Sequence, residues 1–241
     1  MQKRLDVYLY ENNTVKSRSL AASLIKQGSV EVNGRICTKA SFAVDENDNI
    51  RIIGEMPKYV GRGGLKLEKA LSHYRLHLDG SVCIDIGAST GGFTDCMLQN
   101  GAVKVYSVDV GTDQLDEKLR NDPRVVSMEK TDIRNCVGAL PAVDFIGIDV
   151  SFISLKLVLP SAYALLKDGG ECVALIKPQF EAGKSHLSKH GIVRDSKVHK
   201  KVCDDISEFA STLGFERGEV ISSPITGGDG NTEYLIYLRR L

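Results

Sequence analysis

The 241-residue sequence lacks a net charge, a long apolar run and a secretory signal. Lys plus Arg and Asp plus Glu number 31 each, so any attraction for a polyanion must come from a local basic patch. No uncharged apolar run approaches the roughly 20 residues that cross a bilayer, and the N-terminal segment has no apolar core before a cleavage site. We therefore expect a cytoplasmic protein without a membrane segment.

The cysteines form neither a CxxC pair nor a cluster with histidine at metal-binding spacing. This scatter argues against a disulfide framework and predicts no metal site. We expect the thiols to be reduced and mostly buried as small apolar side chains. The six positions are Cys37, Cys83, Cys96, Cys136, Cys172 and Cys203.

The first 53 residues have the pattern of two helices packed on a small sheet. Apolar residues recur at helical spacing in 5–9 and 20–25, with Ser17 or Ser19 as a candidate cap and Gly28 as the stop.

A tight hairpin is predicted directly after the second helix. Asn33-Gly34 separates the short strands 30–32 and 35–37, and a further strand is expected over 49–53. The sequence thus predicts a small α+β domain over residues 1–53.

Residues 54–58 contain Gly54 and Pro57, which interrupt the periodicity and favour an interdomain linker. From residue 59 to 241, strand-like and helix-like segments alternate, which predicts an α/β domain with a mostly parallel sheet covered by helices. Two late strands around a Gly-rich loop predict an antiparallel hairpin at its end. The expected strands are 82–86, 103–108, 124–128, 145–149, 171–176, 219–222 and 234–238, with helices after Gly92 and over 155–166.

The strongest local motif is an apolar strand that runs into a glycine-rich turn and a helix. Glycines let a backbone approach a ligand closely, and the helix N-terminus offers free N–H groups. Asp85 would repel a phosphate but could orient an ammonium group, which suits S-adenosylmethionine better than a dinucleotide. The candidate cofactor-binding residues here are Asp85, Gly87, Ala88, Ser89, Gly91, Gly92 and Phe93.

Two further acids follow the next two strands. Asp109 is a candidate for the ribose hydroxyls and Asp132 for the adenine amino group. Because the carboxyl ends of parallel strands share one edge, these acids and Asp85 are expected to meet in one crevice.

Two charged residues that could take part in catalysis follow the fourth and fifth strands of this domain. The fourth strand ends at Asp149 and the fifth at Lys177. A lysine beside the crevice could accept a proton or steady a negative charge, although Asp149 and Lys177 could equally form a structural ion pair. Lys66 and Glu233 lie at opposite ends of the domain sequence, and each alone is typical of a solvated surface charge.

Together these motifs resemble the TlyA-type hemolysin and ribosomal RNA 2′-O-methyltransferase family, which joins an S4-like RNA-binding domain to an FtsJ-like methyltransferase domain. The resemblance covers essentially the whole chain and implies a Rossmann-like fold. It rests on RLDVYL, SRSLAASLIKQGSVEVNG, YVGRGGLKLEKAL, DIGASTGGFTD, DVSFISL, LIKPQFE and GNTEYL.

The resemblance implies a catalytic Lys-Asp-Lys-Glu tetrad formed by Lys66, Asp149, Lys177 and Glu233, with Lys69 as the rival for the first position. Lys177 would act on the ribose 2′-hydroxyl, while the other three hold its charge state and the substrate. It also implies S-adenosylmethionine as methyl donor and a cytidine in ribosomal RNA or a ribosomal subunit as substrate. We expect no obligate protein partner.

RNA contacts in the first domain are expected from Arg4, Arg18 and Lys26, within a stretch where six cations, Lys16 included, outnumber three carboxylates. A second basic stretch, 184–201, is read as a loop and helix near the site and is either an RNA contact or plain surface. A membrane-active hemolysin and an RNA-binding protein with an inactive methyltransferase fold remain the alternatives.

Overall fold

The computed structural model describes residues 2–15, 17–26, 28–54, 57–227 and 230–241. The chain divides into two compact units, Met1–Met56 and Pro57–Leu241. Lys16 and residues 55–56 of the predicted linker lie outside the described residues, as does the side chain of Ser19.

The first unit contains two helices, a three-stranded antiparallel sheet in the order β3-β2-β5, and a two-stranded β1-β4 ladder. Leu5, Leu9, Leu24 and Ile25 from the helices are almost wholly buried with Val30 of β2. The elements are β1 (Lys3–Arg4), α1 (Leu5–Glu11), α2 (Arg18–Lys26), β2 (Val30–Val32), β3 (Arg35–Ile36), β4 (Ala43–Val44) and β5 (Ile50–Ile52).

The predicted hairpin is confirmed. Asn33 and Gly34 have φ values of 52° and 79°, and Val32 pairs with Arg35 across the turn. Two successive left-handed residues give the turn whose twist matches that of the strands, and Asn-Gly is the pair that adopts it most readily. Ser17 Oγ accepts the Leu20 N–H at 3.2 Å, so it serves as a cap for α2.

The second unit is built on a seven-stranded sheet in the order β11-β12-β10-β9-β6-β7-β8. Strands β6 to β10 are parallel, whereas β12 runs antiparallel between β10 and β11. The predicted α/β class and its terminal antiparallel hairpin are confirmed. The strands are β6 (Val82–Ile86), β7 (Lys104–Val108), β8 (Val125–Met128), β9 (Val143–Ile148), β10 (Leu166–Ile176), β11 (Phe215–Ser222) and β12 (Tyr234–Arg240).

Helices cover both faces of this sheet and produce two apolar cores. The central strands are buried on both faces, which explains why they read as apolar runs rather than alternating patterns. The helices are α3 (Gly63–Tyr74), α4 (Gly92–Gln99), α5 (Glu117–Arg120), α6 (Leu155–Leu165), α7 (Pro178–Glu181) and α8 (Ser196–Thr212), with single 3-10 turns at Ile133–Asn135 and Lys184–His186.

The order of the strands reverses between β6 and β9. The chain runs from β6 outward through β7 to β8, then returns to place β9 on the other side of β6. In open α/β sheets such a reversal leaves a crevice at the carboxyl ends of the strands. The motif residues after β6, β9 and β10 therefore face one another.

Helix α3 was not among the predicted elements. Gly63-Gly64 at its start is typical of a loop, yet Leu67, Ala70 and Leu71 have helical spacing and are buried. Packing of this apolar stripe outweighs the low helix propensity of the two glycines.

Asp6 is a buried carboxylate of the first unit that pairs with two arginines. It is 5% exposed, and its carboxylate pairs with Arg4 at 2.9 Å and Arg18 at 3.2 Å. The hydrogen bond from Arg4 is the main cause that lowers the pKa of Asp6 to about 2, and burial opposes it.

Asp6→Asn is expected to weaken the first unit by about 1 kcal/mol at neutral pH, because two arginines lose their charged acceptor. The folded pKa lies below the unfolded value, so the contribution is full above pH 3.8 and disappears toward about pH 2. The stability gap between the two proteins should close across this interval. Amide hydrogen exchange in α1 and α2 measures this stability difference, with exposed Glu46→Gln as control. A difference that stays constant with pH would contradict a stabilising role of ionised Asp6.

Candidate active site

A cavity of about 300 Å³ opens at the carboxyl ends of the parallel strands, at the reversal of strand order. Residues from α3, from the turn after β6, and from the segments after β9 and β10 contribute to its walls. The lining residues are Gly63, Lys66, Asp85, Gly87, Ala88, Ser89, Thr90, Gly92, Phe93, Asp149, Ser151, Phe152, Lys177, Gln179, Phe180, Gly227 and Glu233.

Four charged side chains form a connected network in this cavity. Asp149 lies between two lysines, with Oδ1 2.6 Å from Lys177 Nζ and Oδ2 3.3 Å from Lys66 Nζ. Glu233 Oε2 accepts a hydrogen bond from Lys66 Nζ at 2.8 Å. Lys66 and Lys177 are each 7% exposed and Glu233 is 3% exposed. Two lysines are thus paired with two carboxylates. Such pairing is needed because burying an unpaired charge is strongly destabilising.

The contacts within the network differ in one respect from the sequence-based expectation. Glu233 is one of the three residues expected to hold the charge state of Lys177, but its carboxylate pairs with Lys66. Lys177 instead donates a hydrogen bond to Ser151 Oγ at 2.9 Å. Lys69, the rival for the first lysine position, is exposed on α3.

Close packing of glycines brings Lys66 into the cavity. A Cβ on Gly64 would stand 2.3 Å from the Tyr59 ring, and one on Gly92 would stand 2.9 Å from the Gly64 nitrogen. Since real Cβ atoms do not approach so closely, only glycine at position 92 lets the starts of α3 and α4 touch, and only glycine at position 64 leaves room for the Tyr59 ring. The Arg62-Gly63-Gly64 motif therefore sets the position from which Lys66 reaches Asp149.

Gly87 performs a similar role in the turn after β6. Its φ is +84°, and a Cβ there would lie 2.6 Å from the Asp149 carbonyl oxygen. From the sequence, this glycine is expected only to let the backbone approach a ligand. The structure shows that it also allows the backbone of the β9 loop to pack on the glycine-rich turn.

Asp85 is completely buried beneath the cavity. Its Oδ2 accepts hydrogen bonds from Thr94 N at 2.8 Å and Thr94 Oγ1 at 2.7 Å, whereas Oδ1 is buried with no hydrogen-bond partner among the described residues. Burial raises the pKa of Asp85 to about 7, and the Thr94 hydrogen bonds oppose the shift. A cation in the adjoining cavity would stabilise the ionised carboxylate.

Asp109 follows β7 and holds the two neighbouring turns together. Its Oδ2 accepts the Ser89 N–H at 2.8 Å and its Oδ1 accepts the Gly111 N–H at 2.6 Å. Asp109 is not one of the described residues that line the cavity. Two lone pairs of its carboxylate are left for a ligand, and Val110 beside it is 73% exposed.

Asp132 also stands apart from the cavity lining. Its carboxylate accepts hydrogen bonds from the backbone N–H and the guanidinium of Arg134, and the guanidinium is the main cause that lowers its pKa. Arg134 occupies much of the hydrogen-bonding capacity that an adenine amino group would require.

Sequence reasoning missed several cavity residues, including Ser151, Phe152, Gln179 and Phe180. Phe152 is 91% exposed with φ 63°, and its ring centroid lies 5.0 Å from that of Phe180. Lys177 Nζ lies 5.9 Å from the Phe180 ring centroid. All four residues belong to the DVSFISL and LIKPQFE motifs, whose aromatic and amide members could have drawn attention to them.

The candidate RNA-binding residues of the first unit are all exposed. Arg4 and Arg18 are brought together because both pair with Asp6. Lys26 lies in the last turn of α2.

Comparison with known proteins supplies the family. Residues 59–240 match the model of FtsJ-like methyltransferases. The chain belongs to the FtsJ-like methyltransferase family. Residues 3–50 match the S4 domain model, so the predicted combination of an FtsJ-like methyltransferase with an S4 domain is confirmed.

Relatives of this FtsJ-like protein carry two kinds of name. A Brachyspira hyodysenteriae protein called Hemolysin A is 42% identical over 97% of this chain and 98% of its own length. The 16S/23S rRNA (cytidine-2′-O)-methyltransferase TlyA of Mycobacterium tuberculosis is 38% identical over 98% of this chain and 89% of its own. A solved structure from Streptococcus thermophilus, described as a candidate hemolysin, superposes with a TM-score of 0.79 at 46% identity, covering 99% of this chain and 88% of that one.

Three further observations concern the expectations about membrane segments, metal sites and cysteines. Within the described ranges, no helix is long and apolar enough to span a membrane. The same ranges contain no group of three or more His, Cys, Asp or Glu side chains arranged to hold a metal ion. All six cysteines are described, and they are free and buried.

Gly87→Ala is expected to destabilise the FtsJ-like unit by about 2–4 kcal/mol, since it combines left-handed strain with overlap on Asp149. Gly138→Ala is the matched control, because Gly138 has φ +85° and open space at its Cβ position. The control should lose only about 1–2 kcal/mol. Urea denaturation followed by circular dichroism measures the unfolding free energy of both variants. Equal losses would show that overlap with Asp149 adds nothing to the destabilisation.

Proposed function

We propose that this FtsJ-like protein transfers a methyl group from S-adenosylmethionine to the 2′-hydroxyl of a cytidine in ribosomal RNA. The observation that carries the proposal is the buried Lys66-Asp149-Lys177-Glu233 network in the cavity beside the glycine-rich turn. The name of the TlyA relative and the S4 domain support RNA as the substrate. Such a substrate implies action in the cytoplasm.

The cofactor proposal rests on the residues around the turn after β6. The unpartnered Oδ1 of Asp85 fits the ammonium group at the amino-acid end of the cofactor. Asp109 retains acceptor capacity for a ribose, and exposed Val110 offers an apolar surface to a purine. When bound, S-adenosylmethionine would supply an electrophilic methyl group on a positively charged sulfur.

The network is proposed to act on the hydroxyl group of the substrate. A ribose 2′-hydroxyl is a weak nucleophile until its proton is shared or removed. Lys177 is held by Asp149 and Ser151 at the cavity wall. Lys177 is proposed to orient the hydroxyl oxygen and to stabilise its developing negative charge, and the hydroxyl proton is released to solvent as the oxygen is methylated.

Phe152 and Phe180 are proposed to receive the target base. An exposed aromatic ring held at a cavity mouth is a stacking surface for an unpaired base, and enzymes that modify nucleotides commonly take the base out of the stack. Phe152 has almost its whole side chain available for this contact.

The proposal is tested by incubating the protein with labelled S-adenosylmethionine and ribosomal subunits, with protein-free ribosomal RNA in parallel. Label on a cytidine ribose, mapped by nuclease digestion and mass spectrometry, is the expected result. Transfer to subunits but not to free RNA would identify the assembled particle as the substrate. Absence of transfer to either RNA would contradict the proposal and favour an inactive RNA-binding role.

S-Adenosylmethionine affinity should increase with pH and level off above about pH 7, because only ionised Asp85 attracts an ammonium group. Asp85→Asn should bind more weakly by about 1–3 kcal/mol and lose this pH dependence. Isothermal titration between pH 6 and 8 measures both quantities. A dependence that persists in the variant would remove Asp85 from the proposed contact.

Lys177→Ala is expected to keep cofactor and RNA binding but to lose activity by roughly 10² to 10³, typical of removing one group that stabilises developing charge. Exposed Lys69→Ala should remain active. Single-turnover rates under saturating cofactor and RNA measure these effects, and near-native turnover in Lys177→Ala would exclude Lys177 from the chemical step.

Replacing Arg4, Arg18 and Lys26 together with glutamine should weaken RNA binding and flatten its salt dependence, since fewer counterions are released. The set must include Asp6→Asn, because loss of both arginines would otherwise leave a buried carboxylate unpaired. Asp6→Asn alone is the control. Cofactor affinity should stay unchanged, and an unaltered salt slope would remove these cations from the RNA-binding surface.

A further inference from the structure

The segment between β9 and α6, residues 150–154, is here called the Phe152 loop. It follows Asp149 directly and contains Ser151, which contacts Lys177, and the exposed Phe152. Phe152 has φ 63°, a left-handed conformation that is unfavourable for a bulky side chain. Such a conformation persists only where the surrounding contacts hold it.

One side chain holds the far end of this loop. Glu181, the last residue of α7, accepts a hydrogen bond from Ser154 Oγ on Oε2 at 2.6 Å. Its Oε1 accepts the Leu155 N–H at 2.7 Å. Ser154 Oγ in turn accepts the Lys156 N–H at 3.2 Å as the cap of α6.

Glu181 thereby joins two segments that bear site residues. Its own helix begins directly after Lys177 and contains Phe180, whereas its hydrogen-bond partners end the Phe152 loop. Burial raises the pKa of this carboxyl, and its two hydrogen bonds oppose the shift. The position beside the first turn of α6 also favours a negative charge. Glu181 is not among the described residues that line the cavity.

We infer that Glu181 is a positioning residue: it clamps the Phe152 loop in its strained conformation and so presents the Phe152 ring to the substrate base. The part of this inference that concerns the base rests on the function proposed above, whereas the clamp on the loop stands on the hydrogen bonds alone. Glu181 acts through Ser154 and Leu155 rather than by touching substrate.

The absence of tryptophan from the chain permits a direct test of the clamp. Phe152→Trp introduces a single indole at the loop, whose fluorescence anisotropy reports local mobility without any need for activity. Adding Glu181→Ala should lower that anisotropy. Glu181→Gln should leave it unchanged, because the amide oxygen can accept the Leu155 N–H while the amide nitrogen donates to Ser154.

Tyr106→Trp, in β7 on the other side of β6, is the control reporter. Its anisotropy should not respond to Glu181→Ala. A drop at both reporters would show general loosening, and no drop at Phe152→Trp would show that Glu181 does not hold the loop. Either result overturns the inference.

A kinetic test addresses the link to the substrate. Glu181→Ala should raise the KM for RNA by about tenfold, the effect of losing one or two hydrogen bonds, with unchanged cofactor affinity. In a Phe152→Ala background, Glu181→Ala should add less than about twofold, because the two residues act through one contact. Independent, multiplying losses would overturn the proposed route through Phe152. If the native chain methylated no RNA, the proposed function would be wrong. The anisotropy test would still show whether Glu181 holds the Phe152 loop.

Discussion

The position of every catalytic candidate depends on the carboxylate of Asp149, which holds one lysine on each oxygen. Lys177 comes from the end of β10 and Lys66 from α3, so this single side chain sets the spacing between two otherwise separate elements. Glu233 completes the charge balance on Lys66. A buried lysine without a paired carboxylate would be strongly destabilising, so each lysine depends on its carboxylate partners in the network.

The network can form only because three backbones approach unusually closely. Gly92 lets the start of α4 contact the start of α3, Gly64 leaves room for the Tyr59 ring, and Gly87 lets the Asp149 backbone pack on the glycine-rich turn. Gly87 and Gly92 therefore serve packing as well as lining the cavity. A Cβ at either position would push apart the elements that hold the charged side chains.

Much of this architecture could be predicted from the sequence because local patterns and parallel strand order act together. Strand β6 matched its predicted bounds, and the Asn33-Gly34 turn has the predicted geometry. Helix α3 was missed because two glycines at its start conceal an apolar stripe that only tertiary packing makes decisive. The partner of Glu233 also could not be predicted, since which lysine it meets depends on how α3 lies against β12. Exposed Phe152 carries no periodic signal, and its importance appears only when the loop conformation is known.

Glu233 and Lys66 are 167 residues apart in the chain, yet they share a hydrogen bond. During synthesis Glu233 is the last of the four network residues to be made, immediately before β12, which inserts between β10 and β11. Long-range pairing of this kind requires a long loop to be closed, which costs conformational entropy and slows folding. Lys66 and its neighbours thus remain incompletely balanced until β12 is in place. The order of synthesis consequently keeps a partly made chain from assembling the complete site.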